Sequence, residues 1–241
     1  IIGGPEGAII KKDVIRRICN LDPNGIFRNK YIRTIETELG AGTCPINGHR
    51  APTLTFAVGG AGAQRTLGVQ MMGSLKHRIL RKEIVVRLEA GTKTEVATFF
   101  LEKAKELGLQ RAFGKSLFID SEPNRADYFH NFTKRLRQTD ILWTKPSEMS
   151  FYCGVGLPII MAPSIGSQEQ FNRVWLKTVN AGVTQNDPKY TNEWLFDWIE
   201  SGGLARMAWN GYIEAPTHGS YRIESIITGE EIELEKLPMI V

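Results

Sequence analysis

The chain has 241 residues, 42% of them hydrophobic and 23% charged, with a net charge of +4 and a mean hydropathy of -0.20. Those values suit a globular protein with room for a sizeable core; no apolar run approaches the roughly 18–20 residues of a membrane span, and the opening does not read as a secretory signal. The basic excess, in Arg78, Arg81, Lys82 and in Lys134, Arg135, Arg137, carries no interleaved aromatics, which argues against nucleic acid.

Solvated helix ends account for those basic groups, the alternative being a surface that meets anionic lipid or an anionic substrate. The chain opens at Ile1 rather than Met, so a fragment or a processed chain is expected. Cys19, Cys44 and Cys153 are scattered and odd in number. They suit a reducing cytosol and form neither a metal motif nor a disulfide framework.

In chain order, residues 13–19 and 28–39 have helical spacing of apolar side chains and are separated by the turn Asp22-Pro23-Asn24-Gly25. Residues 40–52 read as a loop and mark a boundary. From there strands and helices alternate. Strands are predicted over residues 53–58, 83–88, 116–120, 140–144 and 157–162. Helices are predicted over 64–79, 95–107, 126–138, 147–155 and 168–181. Alternation with near-continuous apolar strands defines an α/β fold: a Rossmann-like parallel sheet with helices on both faces. Helical segments at 194–200, 204–213 and 220–227 follow, then an extended tail. The expected division is a helical segment and linker over 1–50, a nucleotide-binding domain over 51–190 and a helical extension over 191–241.

The first strand runs into Gly59-Gly60-Ala61-Gly62-Ala63 and then a helix. In that arrangement backbone N–H groups and a helix N-terminus face an anion, and a Cβ on the turn would block a phosphate. The spacing is not G-x-G-x-x-G, and the Lys-Ser/Thr of a P-loop is missing. No acidic residue ends the second strand to hold a ribose, Glu89 being the nearest. A tight turn that merely lets strand and helix pack is the competing reading.

A second constellation spans Thr144-Lys145-Pro146-Ser147-Glu148-Met149-Ser150, then Gly156-Leu157-Pro158-Ile159-Ile160, then Gln168-Glu169-Gln170-Phe171-Asn172. Gly156-Leu157-Pro158 ends a helix and feeds a buried strand. Gln168, Glu169 and Asn172 share one side of a helical turn, since residues three and four apart are neighbours. Polar groups there, past the carboxyl end of a parallel strand, stand where such sheets bind ligands.

Together these segments, over residues 53–183, resemble the C-terminal donor-binding domain of GT-B glycosyltransferases of the MurG and monogalactosyldiacylglycerol synthase type (glycosyltransferase family 28-like). The resemblance implies that Gly59, Gly60 and Gly62 lie beside the diphosphate of a UDP-sugar. It also implies that Gln168, Glu169 and Asn172 contact the donor sugar and phosphates. The family's ribose-binding glutamate falls at Phe151 by count from Gly-Leu-Pro, and Glu148, one turn earlier, is its candidate replacement.

The implied reaction moves a hexosyl group to an acceptor hydroxyl on a lipid or glycan, in the cytoplasm with peripheral membrane contact. It needs no metal, and the absence of an Asp-x-Asp motif agrees. The family's general base and acceptor site lie mainly in its N-terminal domain, so no catalytic residue is assigned. Two other readings stay open: a non-catalytic nucleotide-binding or regulatory module, and another Rossmann nucleotide enzyme such as a sugar-nucleotide epimerase.

His49, His77, His130 and His218 have no metal-ligand spacing. Cys153 reads as a small buried group at a helix end. Trp194, Phe196, Trp198, Trp209 and Tyr212 read as a packing face, and aromatic surface left over would cross back to a preceding domain.

Overall fold

The computed structural model describes residues 7–40, 50–57, 64–147, 149–164, 166–215 and 219–229. Two helices come first, α1 (Gly7–Asn20) and α2 (Ile26–Leu39). Asp22 starts α2, its carboxylate accepting from the backbone N–H of Phe27 at 3.2 Å and of Arg28 at 2.9 Å. This satisfies two of the donors that a helix start leaves open.

The alternating region forms β1 (Thr53–Ala57), α3 (Arg65–Leu80), β2 (Val85–Glu89), α4 (Thr94–Glu106), β3 (Leu117–Asp120), α5 (Arg125–Leu136) and β4 (Ile141–Thr144). It continues with α6 (Met149–Gly154), β5 (Ile159–Met161), α7 (Ser167–Thr178) and β6 (Gly182–Thr184). Three helices follow: α8 (Thr191–Glu200), α9 (Gly203–Glu214) and α10 (Gly219–Thr228).

All adjacent strands pair in parallel, in the order β3-β2-β1-β4-β5-β6. The fold is therefore α/β and Rossmann-like, as the alternation predicted. The sixth strand was not predicted. Gly182-Val183-Thr184 is too short to show a period of two, and it becomes a strand by pairing with Ile159–Met161.

The main core joins the sheet to α1 and α2 on the amino-terminal side and to α8 and α9 on the carboxyl-terminal side. Ile10, Val14 and Ile18 of α1 share it with Phe56, Val86 and Trp143 of the strands and with Leu195, Leu204 and Ala208 of α8 and α9. The terminal aromatics pack here, as expected. Trp194 is 7% exposed and meets Trp143 edge-on at 5.3 Å. Trp209 is 8% exposed, so neither tryptophan leaves the surplus surface that was expected to seek a preceding domain.

The basic clusters are largely consumed within the chain. Arg78 pairs with Glu83 at 3.1 Å and lies 3.5 Å above the Phe196 ring; Arg81 pairs with Glu83, and Arg137 with Asp13. One cysteine expectation is corrected: Cys19 is disulfide-bonded. Scattered spacing cannot reveal a pairing that the fold creates, and the ground for expecting a reducing compartment goes with it. Cys153 is free and fully buried, as read. Among the described residues no helix is long and apolar enough to cross a membrane.

Candidate functional site

A parallel sheet binds ligands beyond the carboxyl ends of its strands, where the strand order reverses. Here that place lies between β1 and β4, because β2 and β3 continue on one side of β1 and β4 to β6 on the other. The carboxyl ends of β1 and β4 and the start of α3 meet the residues after β5 there. Thr144 Oγ1 donates to the Ala57 carbonyl at 3.5 Å, and Gln64 Nε2 to the Pro163 carbonyl at 2.7 Å.

Helix α7 enters this crevice by its first turn. Its N-cap residue, Gly166, makes no side-chain cap hydrogen bond, and the first N–H groups of a helix favour an anion. Lys145 Nζ reaches Glu169 Oε1 at 3.1 Å, both side chains less than one-fifth exposed. Asn172 Nδ2 donates to the Pro146 carbonyl at 2.9 Å. The loop after β4 is thus tied to the polar side of α7 by two bonds 24 and 26 residues apart in sequence. Three residues past the end of β5, the buried Ser164 hydroxyl has no hydrogen-bond partner among the described residues.

The sequence-predicted residues divide three ways. Glu169 and Asn172 come together against the β4 loop, as their spacing required. Gln168 begins the same turn but is exposed. Gly59, Gly60, Gly62 and Glu148 lie outside the described residues. Phe151, at the position counted for the family's ribose glutamate, packs beside Phe132, Leu136 and Leu157. It also lines a small cavity with Ile10 and Arg17 of α1.

Sequence reasoning missed the partners Lys145, Gln64 and Ser164, and it misplaced the end of β2. That strand ends on Glu89, one residue later than predicted, paired in register with Ala57. An acidic residue therefore does close the second strand. It is 1% exposed and already held: Arg135 donates to it through Nε at 2.6 Å and Nη2 at 2.9 Å, and through Nη1 to Glu122 at 2.8 Å. Both carboxylate oxygens face a guanidinium of the protein rather than a ribose. Only the length of the Arg135 side chain, reaching from the last turn of α5, makes this possible.

Burial pushes the Glu89 carboxyl up to about 7, although Arg135 pulls the other way. A carboxyl raised in the folded state stabilises the fold below its unfolded value and loses that contribution as pH rises through the folded one. From about pH 4.5 to above 7 the loss approaches roughly 3 kcal/mol, at about 1.4 kcal/mol per pH unit of difference. Glu89→Gln removes the titration, so its stability relative to the parent should improve between pH 5 and pH 8. Urea unfolding at both values measures this; a difference that stays flat with pH contradicts it.

The arrangement defines a Rossmann-like α/β domain with a polar crevice at its switch point. The chain belongs to the family described as a domain of unknown function, DUF6938, whose model matches residues 45–221. No curated protein sequence matches it.

Among solved structures, WaaG, a glycosyltransferase involved in lipopolysaccharide biosynthesis, is 16% identical with a TM-score of 0.48, over 75% of this chain and 48% of that one. The glycotransferase of kitacinnamycin is 10% identical with a TM-score of 0.47, over 75% and 43%. A co-structure of S. aureus MnaA with UDP is 14% identical with a TM-score of 0.46, over 75% and 45%. The chain spans less than half the length of each. Likeness at this level transfers no function.

Proposed function

We propose that the crevice between β1, β4 and β5 binds a nucleotide-diphosphate sugar, most simply UDP-linked, and that the chain is the donor-binding part of a GT-B glycosyltransferase that moves a hexosyl group to an acceptor hydroxyl. The observation that carries this reading is the junction of Lys145, Glu169 and Asn172 at the switch point. There Lys145 and the first turn of α7 supply positive potential for a diphosphate, while the Glu169 carboxylate and the Asn172 amide, which tie α7 to Lys145 and to the Pro146 carbonyl, would exchange those bonds for sugar hydroxyls on binding. The unmatched Ser164 hydroxyl supports it, since a buried donor without a partner costs free energy that a ligand would recover. The glycines at 59, 60 and 62 complete the proposal on the β1 side. Loss of the nucleoside diphosphate would be favoured by the same N–H groups as its charge grows.

A second reading, a nucleotide-binding module without transfer activity, is favoured by Phe151. An apolar ring packed toward α5 and α1 replaces the carboxylate expected to hold a ribose.

Calorimetric titration with UDP tests both. Saturable binding that weakens about tenfold or more in Glu169→Ala or Lys145→Gln supports the crevice as the site. Absence of binding at millimolar UDP overturns both readings. Binding without any hydrolysis or transfer of the sugar from UDP-hexoses, with acceptor lipids and glycans supplied, favours the second.

A further inference from the structure

The opposite end of the sheet carries a pocket that the nucleotide reading does not use. It encloses about 330 Å³ among Arg16, Arg50, Thr53, Val85, Arg87, Lys115, Phe118 and Gln138. Four of these side chains are cationic and none is acidic. From this we infer a second ligand site, an anion pocket at the amino-terminal end of the sheet that takes a small phosphate-bearing molecule.

The carboxylates behind the pocket are too few to neutralise it. Asp140 serves Arg50 at 2.8 Å and Arg16 at 3.8 Å, and Asp13 is divided between Arg16 and Arg137. Arg87 has Asp120 at 2.7 Å. Lys115 is exposed, with no ion-pair partner among the described residues. Crowding of positive charge reaches the neighbouring Arg17, whose guanidinium is lowered to about 10 by burial and by Arg16.

One donor points to what is missing. The Nε atom of Arg87 is buried and makes no hydrogen bond among the described residues, whereas that of Arg16 faces Asp140 Oδ1 at 3.8 Å. Arg87 is also held in place, its guanidinium 4.4 Å above the Phe118 ring and its Nη1 on Asp120. A fixed guanidinium with an unused edge matches the paired oxygens of a phosphate, and a nearby ammonium adds charge without a directional demand. The volume admits a phosphate ester or a pyrophosphate rather than a bare halide. The site is independent of the crevice at the carboxyl ends.

The test uses the chain itself in phosphate-free buffer at low ionic strength, titrated with pyrophosphate and with acetate while UDP is present at saturation. Expected is one saturable pyrophosphate site that strongly prefers pyrophosphate to acetate. Its affinity should fall at least tenfold in Lys115→Glu and also in Arg87→Lys, which keeps the charge and loses the fork, and should stay unchanged in Lys177→Gln, an exposed cation in the last turn of α7. Circular dichroism of each variant confirms folding. Sedimentation with phosphatidate vesicles separates two sources of the same chemistry. Lys115-dependent sedimentation identifies a lipid phosphate, and pyrophosphate binding without sedimentation identifies a soluble one. Binding that is absent, indifferent to Lys115, or lost equally in Lys177→Gln overturns the inference.

Discussion

Asp140→Ala should cost about 3–5 kcal/mol, the penalty for removing one partner of a buried charge cluster. Asp140 lies just before β4 with a fully buried side chain. Its oxygens accept from Arg50 Nη2 at 2.9 Å and from the Thr53 N–H at 2.8 Å, and Arg16 and Arg17 stand beside it. Arg17 is 1% exposed and donates to the carbonyls of Leu136 and Thr139 at 2.9 Å each, and to that of Val155.

Burial pushes the Asp140 carboxyl upward in spite of Arg50, so the carboxylate itself is costly to hold. Its removal is costlier still, because Arg50 and the Thr53 N–H then face no anion and Arg16 keeps only Asp13. A loss of this size is a large fraction of the roughly 5–15 kcal/mol that holds a domain folded. Urea unfolding measures it. A loss under about 1 kcal/mol would show that water reaches the cluster and that α1 is not clamped to the sheet through it.

Gly156→Ala is expected to cost about 2–5 kcal/mol. Gly156 has φ +68°, which costs an L residue about 1–2 kcal/mol, and a Cβ there would stand 2.6 Å from Val14 Cγ2 on α1. Overpacking of that kind adds about 1–3 kcal/mol. In a Val14→Ala background the clash is relieved and the dihedral strain alone should remain, so a double-mutant cycle separates the two. Equal penalties in both backgrounds would remove the contact from the explanation. The glycine of the Gly-Leu-Pro segment thus serves the packing of α1 against the turn that feeds β5. Its place in the motif reflects this backbone requirement rather than contact with a ligand.

The candidate site was half legible in the sequence. Glu169 and Asn172 could be placed on one side of α7 because helical periodicity is local, and the carboxyl end of β5 followed from an apolar run. Lys145 was quoted as part of a motif, but nothing local assigned it to Glu169. Glu89 shows the same limit from the other side. A one-residue error at the end of β2 hid the carboxylate, and its partner Arg135 lies 46 residues away on another element. The glycine turn, the plainest signal in the sequence, lies outside the described residues.

By itself the sequence determined the element types, the parallel α/β class, the polar side of α7 and the inward packing of the late tryptophans. These follow from periodicity and burial within short windows. Tertiary structure alone decided that β1 and β4 meet at the switch point, that Gly182–Thr184 is a strand, and that α1 delivers Arg16 and Arg17 to the amino end of the sheet. Each of these depends on which distant segment arrives as a partner. Such a choice is fixed by the packing of the whole core, where buried charges must find counter-charges and strand edges must find neighbours, and no local pattern records it.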